Sequence, residues 1–199
     1  MAEAQRQRLS PEARRELLLD AAEHTFAERG YTPSGLAEIA TAAGVSKTLL
    51  YHYFPDGRPE LYGAVMERLT GAALAASGDA ARAPLAAARR LERVIDALLT
   101  FFEDQPVAYR LLILEPWGSG DARVVAQATA VRSRLASELA GILAAAHQPV
   151  ERTMAGAVTA VGALLQICEL RMSGQLDGPG ARRLAGEFLT GGLGALDLL

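Results

Sequence analysis

Residues 36–54 read LAEIATAAGVSKTLLYHYF and predict two short helices joined by a tight turn. Gly44 comes where the first helix must end, because a residue without a side chain adopts a left-handed backbone there without strain. Ser46 is placed to cap a second helix over residues 47–54, since its hydroxyl can accept a backbone N–H of the first turn. These 19 residues therefore predict a helix-turn-helix pair.

The spacing of three residues within this stretch supports the pair. Ala40 is small where the second helix must cross, Gly44 follows four residues later, and Leu50 follows six residues after that on the face that packs back. A small residue, a glycine and a bulky aliphatic residue at these intervals are typical of a helix-turn-helix, whose second helix fits a DNA major groove. We place the motif at about residues 34–54.

The flanking sequence extends the pattern in both directions. Upstream, Gly30 ends a helix whose apolar residues recur at helical spacing. These residues are Leu18, Ala21, Ala22, Thr25 and Phe26. Downstream, residues 55–57 (PDG) break the second helix and Pro59 opens another.

Three ordered motifs resemble the tetracycline-repressor (TetR) family of bacterial regulators. They are LLxAAxxxFxxxGY at residues 18–31, IAxxAGVS at 39–46 and LYxYF at 50–54, and the resemblance extends from about Pro11 to Leu69. It implies a three-helix DNA-binding domain at residues 11–71. It also implies a larger helical domain at residues 78–199, which binds a small-molecule effector and dimerises.

Two departures from the family pattern are visible. Ser34 is followed by Gly35 rather than by an apolar residue. The segment after the second helix, FPDGR at residues 54–58, is one residue longer than the Phe-x-x-Lys of many members. Whether Arg58 replaces the family lysine at the phosphate backbone is left open by this insertion.

Composition favours an all-α fold of about nine helices. Half of the 199 residues are hydrophobic, alanine is abundant, and the alternation typical of strands is almost absent. The predicted helices span residues 11–29, 36–42, 47–54, 59–76, 84–103, 106–115, 122–146, 150–173 and 181–196. Loops are predicted at residues 77–83 and 116–121.

Charge and cysteine content restrict the class of protein. The net charge is −3, and the first sixty residues hold seven Lys or Arg against nine Asp or Glu, so DNA binding must rest on local cations such as Arg6, Arg8 and Lys47. The single cysteine excludes an internal disulfide and favours a cytoplasmic protein. No run of about eighteen uncharged apolar residues is present, so we expect no membrane span, and residues 1–9 do not read as a secretory signal.

The second helix of the motif supplies the candidate DNA contacts. Lys47, Thr48 and Leu49 in its first turn would face base edges, behind the capping Ser46. The family resemblance implies further contacts with the phosphate backbone, made by Tyr51, His52 and Tyr53. The predicted DNA-binding residues are Ser34, Ser46, Lys47, Thr48, Leu49, Tyr51, His52, Tyr53 and Arg58. Two bland alternatives stay open: the Tyr51 ring packs partly in the core, and His52 is simply solvated.

The last two predicted helices are apolar nearly all round, which requires burial on two sides. We predict that they pack against their mates in a two-fold homodimer, as a four-helix bundle. The predicted interface residues are Val158, Val161, Leu165, Cys168, Leu184, Phe188 and Leu193. The alternative is that a neighbouring helix of the same subunit covers the second face.

The effector site is predicted from the resemblance and from aromatic residues in the middle of the chain. The candidate lining residues are Phe101, Phe102, Tyr109, Trp117 and Met154, each of which has ordinary core packing as its alternative. Few polar residues occur between Leu91 and Leu114, which favours a small apolar or amphipathic effector. No metal or cofactor is expected, because His and Cys do not cluster at ligand spacing.

These observations predict a homodimeric regulator that binds a pseudo-palindromic double-stranded operator. We expect a repressor that releases DNA when the effector spreads its two reading helices apart. Two alternatives remain: a ligand-independent regulator or activator of the same fold, and an all-α binding or enzymatic protein without DNA binding. An enzyme is not expected, since Cys168 lies on an apolar stripe without a nearby histidine.

Overall fold

The all-α prediction is confirmed by the computed structural model, which describes residues 10–143 and 148–199 and contains only helices and connections there. The helices are α1 (Pro11–Arg29), α2 (Leu36–Ala42), α3 (Lys47–Tyr53), α4 (Arg58–Arg82), α5 (Ala87–Asp104), α6 (Pro106–Tyr109), a π-helical turn (Arg110–Leu114), α7 (Glu115–Gly118), α8 (Ala122–Leu143), α9 (Val150–Met172) and α10 (Gly178–Ala195). Because α6, the π-helical turn and α7 are continuous, the described residues form nine helical runs. Arg6, Arg8, His147 and the predicted end of α8 at Ala146 lie outside the described residues.

The first three helices pack around one small core. Phe26 of α1, Ile39 of α2 and Leu50 of α3 are all fully buried. Ser10 caps α1 by accepting the Ala13 N–H at 3.1 Å, and Gly30 ends it with a φ of 85°. The apolar residues that the sequence placed on one face of α1 are therefore the ones that pack in this core.

The turn between α2 and α3 has the predicted conformation. Gly44 has a φ of 65°, and the Val45 N–H donates to the Ala40 carbonyl at 2.9 Å across the turn. Ala40 itself is buried, as the close crossing of the two helices requires. The helix-turn-helix prediction is confirmed in its residues and in its turn.

Helix α4 is longer than predicted and runs from the small domain into the large one. The prediction of an irregular segment at residues 77–83 is wrong, because α4 continues to Arg82 without a break. Ser77 fits the helix by donating its hydroxyl to the Ala73 carbonyl at 3.2 Å. In the N-terminal half of α4, Arg68 forms ion pairs with two residues of α1, Glu23 and, at 2.6 Å, Asp20. The predicted boundary between residues 71 and 78 therefore falls inside one shared helix.

The segment after α5 also differs from the prediction. Residues 116–121 were expected to form a loop, but the helix continues to Gly118. The preceding turn is widened, with the Glu115 N–H donating to the carbonyl of Arg110, five residues back. The wider turn lets the helix pass through Pro116, which has no N–H to donate. The result is a π-helical turn between the two domains.

Helices α8, α9 and α10 complete the large domain. Helix α10 begins three residues earlier than predicted, because Asp177 caps it by accepting the Gly180 N–H at 2.7 Å. By length and composition alone, α9 could cross a membrane, although it contains no run of eighteen uncharged residues, so the expectation of no membrane span stays a prediction. Half of its most apolar window is buried in the fold.

Candidate nucleic-acid interface and cavity

Helix α3 presents a polar face away from the core of the small domain. Ser46 caps it as predicted, accepting the Leu49 N–H at 3.2 Å, and Leu50 fixes its inner face. Lys47 and Thr48 are exposed on the first turn. Such a first turn offers an ammonium and a hydroxyl to base edges or phosphates. Leu49 lies beside them and is partly exposed.

The aromatic residues of α3 lie on the same side. The Tyr51 side chain is 41% exposed, and the Lys47 ammonium lies 5.7 Å from the centroid of its ring. His52 is exposed and its ring meets that of half-buried Tyr53 edge-on at 5.5 Å. The structure thus groups Lys47, Thr48, Tyr51 and His52 into one exposed face, which we call the α3 face.

Two predicted DNA contacts have other roles. Ser34 is fully buried and its hydroxyl donates to the Gly30 carbonyl at 2.6 Å, so its assignment as a phosphate contact is wrong. Arg58 donates from Nη1 to the carbonyls of Thr32 (2.7 Å) and Ser34 (3.2 Å), and its guanidinium stacks 4.4 Å from the Tyr31 ring centroid. These contacts hold Arg58 against the α1–α2 connection and use only its Nη1 and one face of the guanidinium, so its contact with phosphate stays a prediction.

The large domain encloses a cavity of about 510 Å³. Its wall is formed by α4, α5, the π-helical turn, α8, α9 and α10, and is mainly aliphatic. The lining side chains include Leu91, Ile95, Leu98, Phe102, Leu112, Ile113, Val131, Leu135, Leu139, Ile142, Val161, Leu164 and Leu165. This volume falls in the range of about 300–1,000 Å³ that is usual for small-molecule sites.

Only one of the five predicted lining residues, Phe102, faces this cavity. Phe101 packs edge-on against Phe102 at 5.4 Å, and Tyr109 is buried behind it at 6.0 Å. Trp117 is exposed, with the Arg132 guanidinium 4.6 Å from its ring centroid. Met154 is half-buried at the edge of the core. The alternative of core packing is therefore correct for Phe101, Tyr109 and Met154, whereas Trp117 lies on the surface.

The predicted interface residues divide into two groups. Val158, Leu184 and Phe188 are exposed on the outer side of α9 and α10, at 55%, 39% and 59% respectively. The other four are buried within the chain itself, so their assignment to an intersubunit contact is wrong. They are Val161, Leu165, Cys168 and Leu193. Burial raises the pKa of the Cys168 thiol to about 12, which leaves it neutral and unreactive.

A polar cluster, not foreseen from the sequence, connects the cavity wall to the small domain. Arg110 donates from Nη1 to the Ala27 carbonyl of α1 at 2.6 Å, and from Nε and Nη2 to Glu115 Oε1 at 3.0 and 2.9 Å. The other oxygen of Glu115 accepts the Tyr31 N–H at 3.3 Å. We call this the Arg110–Glu115 clasp. Leu112 lies between the two charged residues in sequence and faces the cavity.

Two further hydrogen bonds strengthen this junction. The Tyr62 hydroxyl of α4 donates to the Leu111 carbonyl at 2.6 Å. The Tyr31 hydroxyl donates to Asp121 at 2.8 Å. The hydrogen bonds from Arg123 and Tyr31 lower the pKa of Asp121 to about 2. The junction between the small domain and the cavity wall therefore uses both backbone groups and side chains as hydrogen-bonding partners.

Comparison with known proteins agrees with this architecture. Residues 18–65 match the sequence profile of the family described as bacterial regulatory proteins, tetR family. The chain is 35% identical over 126 residues to the HTH-type transcriptional activator FasR of Mycolicibacterium smegmatis, covering 61% of this chain and 57% of that one. The chain spans about half the length of the curated relatives it matches.

Solved structures share the whole fold. A TetR-like transcriptional regulator from Rhodococcus sp. RHA1 superposes with a TM-score of 0.72 at 24% identity, over 94% of this chain and 99% of that chain. The transcriptional regulator FadR from Bacillus subtilis, solved in complex with stearoyl-CoA, gives 0.71 at 18% identity, over 87% and 95%. With helix-turn-helix geometry, family profile and fold in agreement, residues 18–65 match the TetR family of bacterial regulatory proteins, and the whole chain has the fold of TetR-family regulators.

Proposed function

We propose that this chain is a homodimeric, DNA-binding transcription regulator of the cytoplasm, a repressor released from its operator by a small molecule. The observation that supports it most is the α3 face, where a capped helix presents Lys47, Thr48 and Tyr51 outward from a fully packed inner face. A helix held in this way can enter a major groove without rearrangement.

Within this proposal, the residues of α3 divide into two kinds of contact. Lys47 and Thr48 in the first turn read base edges, and the hydroxyl of Tyr51 and the ring of His52 contact the phosphates that set the register. Arg58 acts one step away, as a positioning residue that holds the α1–α2 connection against Tyr31. Leu49 and Tyr53, both half-buried beside this face, complete the proposed set of DNA contacts on α3, with the Tyr53 hydroxyl directed to phosphate.

A second copy of the chain is the proposed partner of the outer side of α9 and α10. Val158, Leu184 and Phe188 expose apolar surface there, and Gly162 and Gly191 have open space where a side chain would be. Large side chains beside glycines let two helix pairs approach closely across a two-fold axis. Two copies would place two α3 helices in successive major grooves, about 34–36 Å apart.

The effector is proposed to occupy the 510 Å³ cavity. The aliphatic wall suits an apolar or amphipathic molecule, and the FadR relative was solved with stearoyl-CoA, a molecule of that kind. Filling the cavity presses on Leu112 and Ile113, which belong to the same turn as the clasp. Because Arg110 and Glu115 hold the end of α1, a shift of this turn moves the small domain.

The direct test uses two double variants and an operator selected from random duplexes. Lys47→Ala with Tyr51→Ala should abolish operator binding while the size-exclusion volume stays that of the dimer, because both side chains are exposed. The matched control, Leu85→Ala with Arg89→Ala, removes an exposed apolar residue and an exposed cation far along the chain and should bind normally. Binding by the α3 variant at the wild-type concentration would contradict the proposal.

A second candidate function is activation rather than repression, since FasR is named an activator. Both use the same α3 face and dimer. Transcription from a template carrying the selected operator separates them: a repressor lowers the transcript level and an activator raises it.

A further inference from the structure

Pro116 leaves one carbonyl of the π-helical turn without a backbone donor. In the π register each N–H donates to the carbonyl five residues back, so the N–H of residue 116 would serve Leu111. A proline at this position has no N–H to donate. Glu115, which would serve Leu111 in an α-helix, donates to Arg110 instead. Because Leu111 is fully buried, solvent does not replace the missing donor.

The hydroxyl of Tyr62 supplies this donor from α4. It donates to the Leu111 carbonyl at 2.6 Å, and Tyr62 is itself fully buried. Burial raises the pKa of Tyr62, so the hydroxyl stays protonated and able to donate. Its ring meets those of Phe26 and Tyr31 edge-on, at centroid distances of 5.0 and 5.1 Å. The hydroxyl is therefore held in position by the packing of the small domain.

The same hydrogen bond distinguishes the π register from the α register. In an α-helix the Glu115 N–H would serve Leu111. Pro116 would then leave the Leu112 carbonyl, four residues back, without a donor. A buried carbonyl without a partner is costly, because it has lost its hydrogen bonds to water. The favoured register is therefore the one that places the unserved carbonyl at the hydroxyl of Tyr62.

The register also decides whether the Arg110–Glu115 clasp can form. Residues five apart lie about 140° apart around an α-helix, on which side chains three and four apart are neighbours. In the π register Glu115 lies over Arg110, and its carboxylate accepts from Arg110 Nε and Nη2 at 3.0 and 2.9 Å. A slip to the α register would carry this carboxylate away from Arg110 and from Tyr31. The clasp therefore requires the π register.

We infer that Tyr62 is a positioning residue, whose hydroxyl replaces the N–H that Pro116 lacks and so holds the π register in which the clasp forms. Tyr62 lies outside the cavity lining and acts through the turn that forms part of it. The inference rests on the proposed function only where the clasp is taken to move the small domain. The hydrogen bond, the register and the clasp are tested without DNA, so their failure is distinct from failure of operator binding.

The first test asks whether an N–H at residue 116 replaces the hydroxyl of Tyr62. Tyr62→Phe keeps the ring and should lower the folding equilibrium constant of the full chain about tenfold or more, because Leu111 loses its donor. In the background of Pro116→Ala, which restores the N–H, the same substitution should lower the constant less than about threefold. Urea denaturation of the wild type, the two single variants and the double variant measures both effects. An equal loss in the two backgrounds would overturn the inference.

Tyr109→Phe is the matched control for the loss of a buried hydroxyl. Tyr109 is buried, and its hydroxyl has no hydrogen-bond partner among the described residues. Its replacement should lower the folding constant less than about threefold. Equal losses for Tyr62→Phe and Tyr109→Phe would mean that the bond to Leu111 has no special effect, and would overturn the inference.

The second test asks whether the clasp depends on Tyr62. Glu115→Ala should lower the folding constant of the wild type about tenfold, but only slightly once Tyr62→Phe has released the register. Glu67→Ala, which breaks an exposed ion pair with Arg134, should have the same small effect in both backgrounds. An effect of Glu115→Ala that is undiminished by Tyr62→Phe would overturn the inference.

Trp117, the single tryptophan of the chain, reports the register directly. It lies one residue after Pro116, with the Arg132 guanidinium 4.6 Å from its ring centroid. A slip by one residue turns it about 100° around the helix axis and away from Arg132. Its fluorescence emission should therefore shift in Tyr62→Phe and stay unchanged in Tyr109→Phe. An unchanged emission in Tyr62→Phe would overturn the inference.

Discussion

Glu115 and Tyr31 join the two domains through a single carboxylate oxygen, which accepts the Tyr31 N–H at 3.3 Å while its companion oxygen binds Arg110. The contact spans 84 residues of sequence. It fixes the C-terminal end of α1 to the turn that forms part of the cavity wall. Because α1 packs against the helix-turn-helix, this carboxylate and the Arg110–Ala27 hydrogen bond link the cavity wall to the small domain.

Replacing Glu115 should destabilise the fold more than replacing a carboxylate of an exposed ion pair. Glu115→Ala leaves the half-buried Arg110 without its ion pair and the Tyr31 N–H without an acceptor, for an expected loss of about 1–3 kcal/mol in the free energy of unfolding. Glu67→Ala breaks the exposed pair with Arg134 and should cost about 0–1 kcal/mol. Urea denaturation of both variants measures the difference. Equal losses in the free energy of unfolding would mean that the clasp stabilises the fold no more than an exposed ion pair does.

Gly30 should not tolerate a side chain. Its φ of 85° and ψ of 171° belong to a region that only glycine occupies readily, and a Cβ there would lie 2.9 Å from Glu115 Oε2. Gly30→Ala should therefore cost about 1–3 kcal/mol and open the clasp. Gly71→Ala, in the interior of α4 with open space around its Cβ, should instead stabilise by about 0.5–1 kcal/mol. Thermal unfolding distinguishes the two, and a stabilised Gly30→Ala would contradict the observed junction.

Acid should weaken the junction through Asp121. Its carboxyl pKa is lowered from 3.8 to about 2 by the hydrogen bonds from Arg123 and Tyr31, so the folded state favours the ionised form. That contribution is complete above pH 4 and is lost as the pH falls through about 2. The stability difference between the wild type and Asp121→Asn should therefore be constant from pH 5 to pH 7 and shrink below about pH 4. Urea midpoints measured across this range test it, and a difference independent of pH would rule out Asp121 as the titrating group.

If two copies associate through the outer side of α9 and α10, as proposed, a charge placed there should separate them. Phe188→Glu would bury an unpaired carboxylate in the dimer, which should weaken association by about 2 kcal/mol or more, roughly thirtyfold in Kd. Leu114→Glu places the same charge at another exposed apolar position and should leave the dimer intact. Light scattering after size exclusion measures the mass of each variant. If Phe188→Glu remains a dimer, another surface joins the copies.

The small domain could be predicted from sequence because its determinants are local. Gly44 sets the turn by its own positive φ, and Ser46 caps the N–H of a residue three positions later. The apolar spacing of α1 is likewise contained in one continuous segment. The role of Arg58 could not be predicted in this way. Its hydrogen-bond acceptors, the carbonyls of Thr32 and Ser34, lie 24 to 26 residues away.

The large domain was harder to predict because its features combine distant elements. The stretch rich in Gly, Ala and Asp at residues 77–83 suggested the end of a helix, but packing of α4 against α5 and α8 overrides this weak local preference. The cavity is lined by aliphatic residues from six segments, and none of these residues differs in type from ordinary core. Aromatic character therefore pointed to Phe102 but not to the aliphatic residues that form most of the lining. Apolar periodicity in α9 also could not tell the buried Val161 from the exposed Val158.

Selection of bound sequences from a random duplex pool, with the purified full chain at moderate salt, tests DNA recognition by a dimer most directly. We expect enrichment of an inverted repeat whose half-sites are about one helical turn apart, 34–36 Å between centres. Enrichment should disappear for the Lys47→Ala and Tyr51→Ala double variant. A folded dimer that enriches no sequence, or a variant that enriches the same repeat, would contradict the assignment of α3 as the DNA-reading helix.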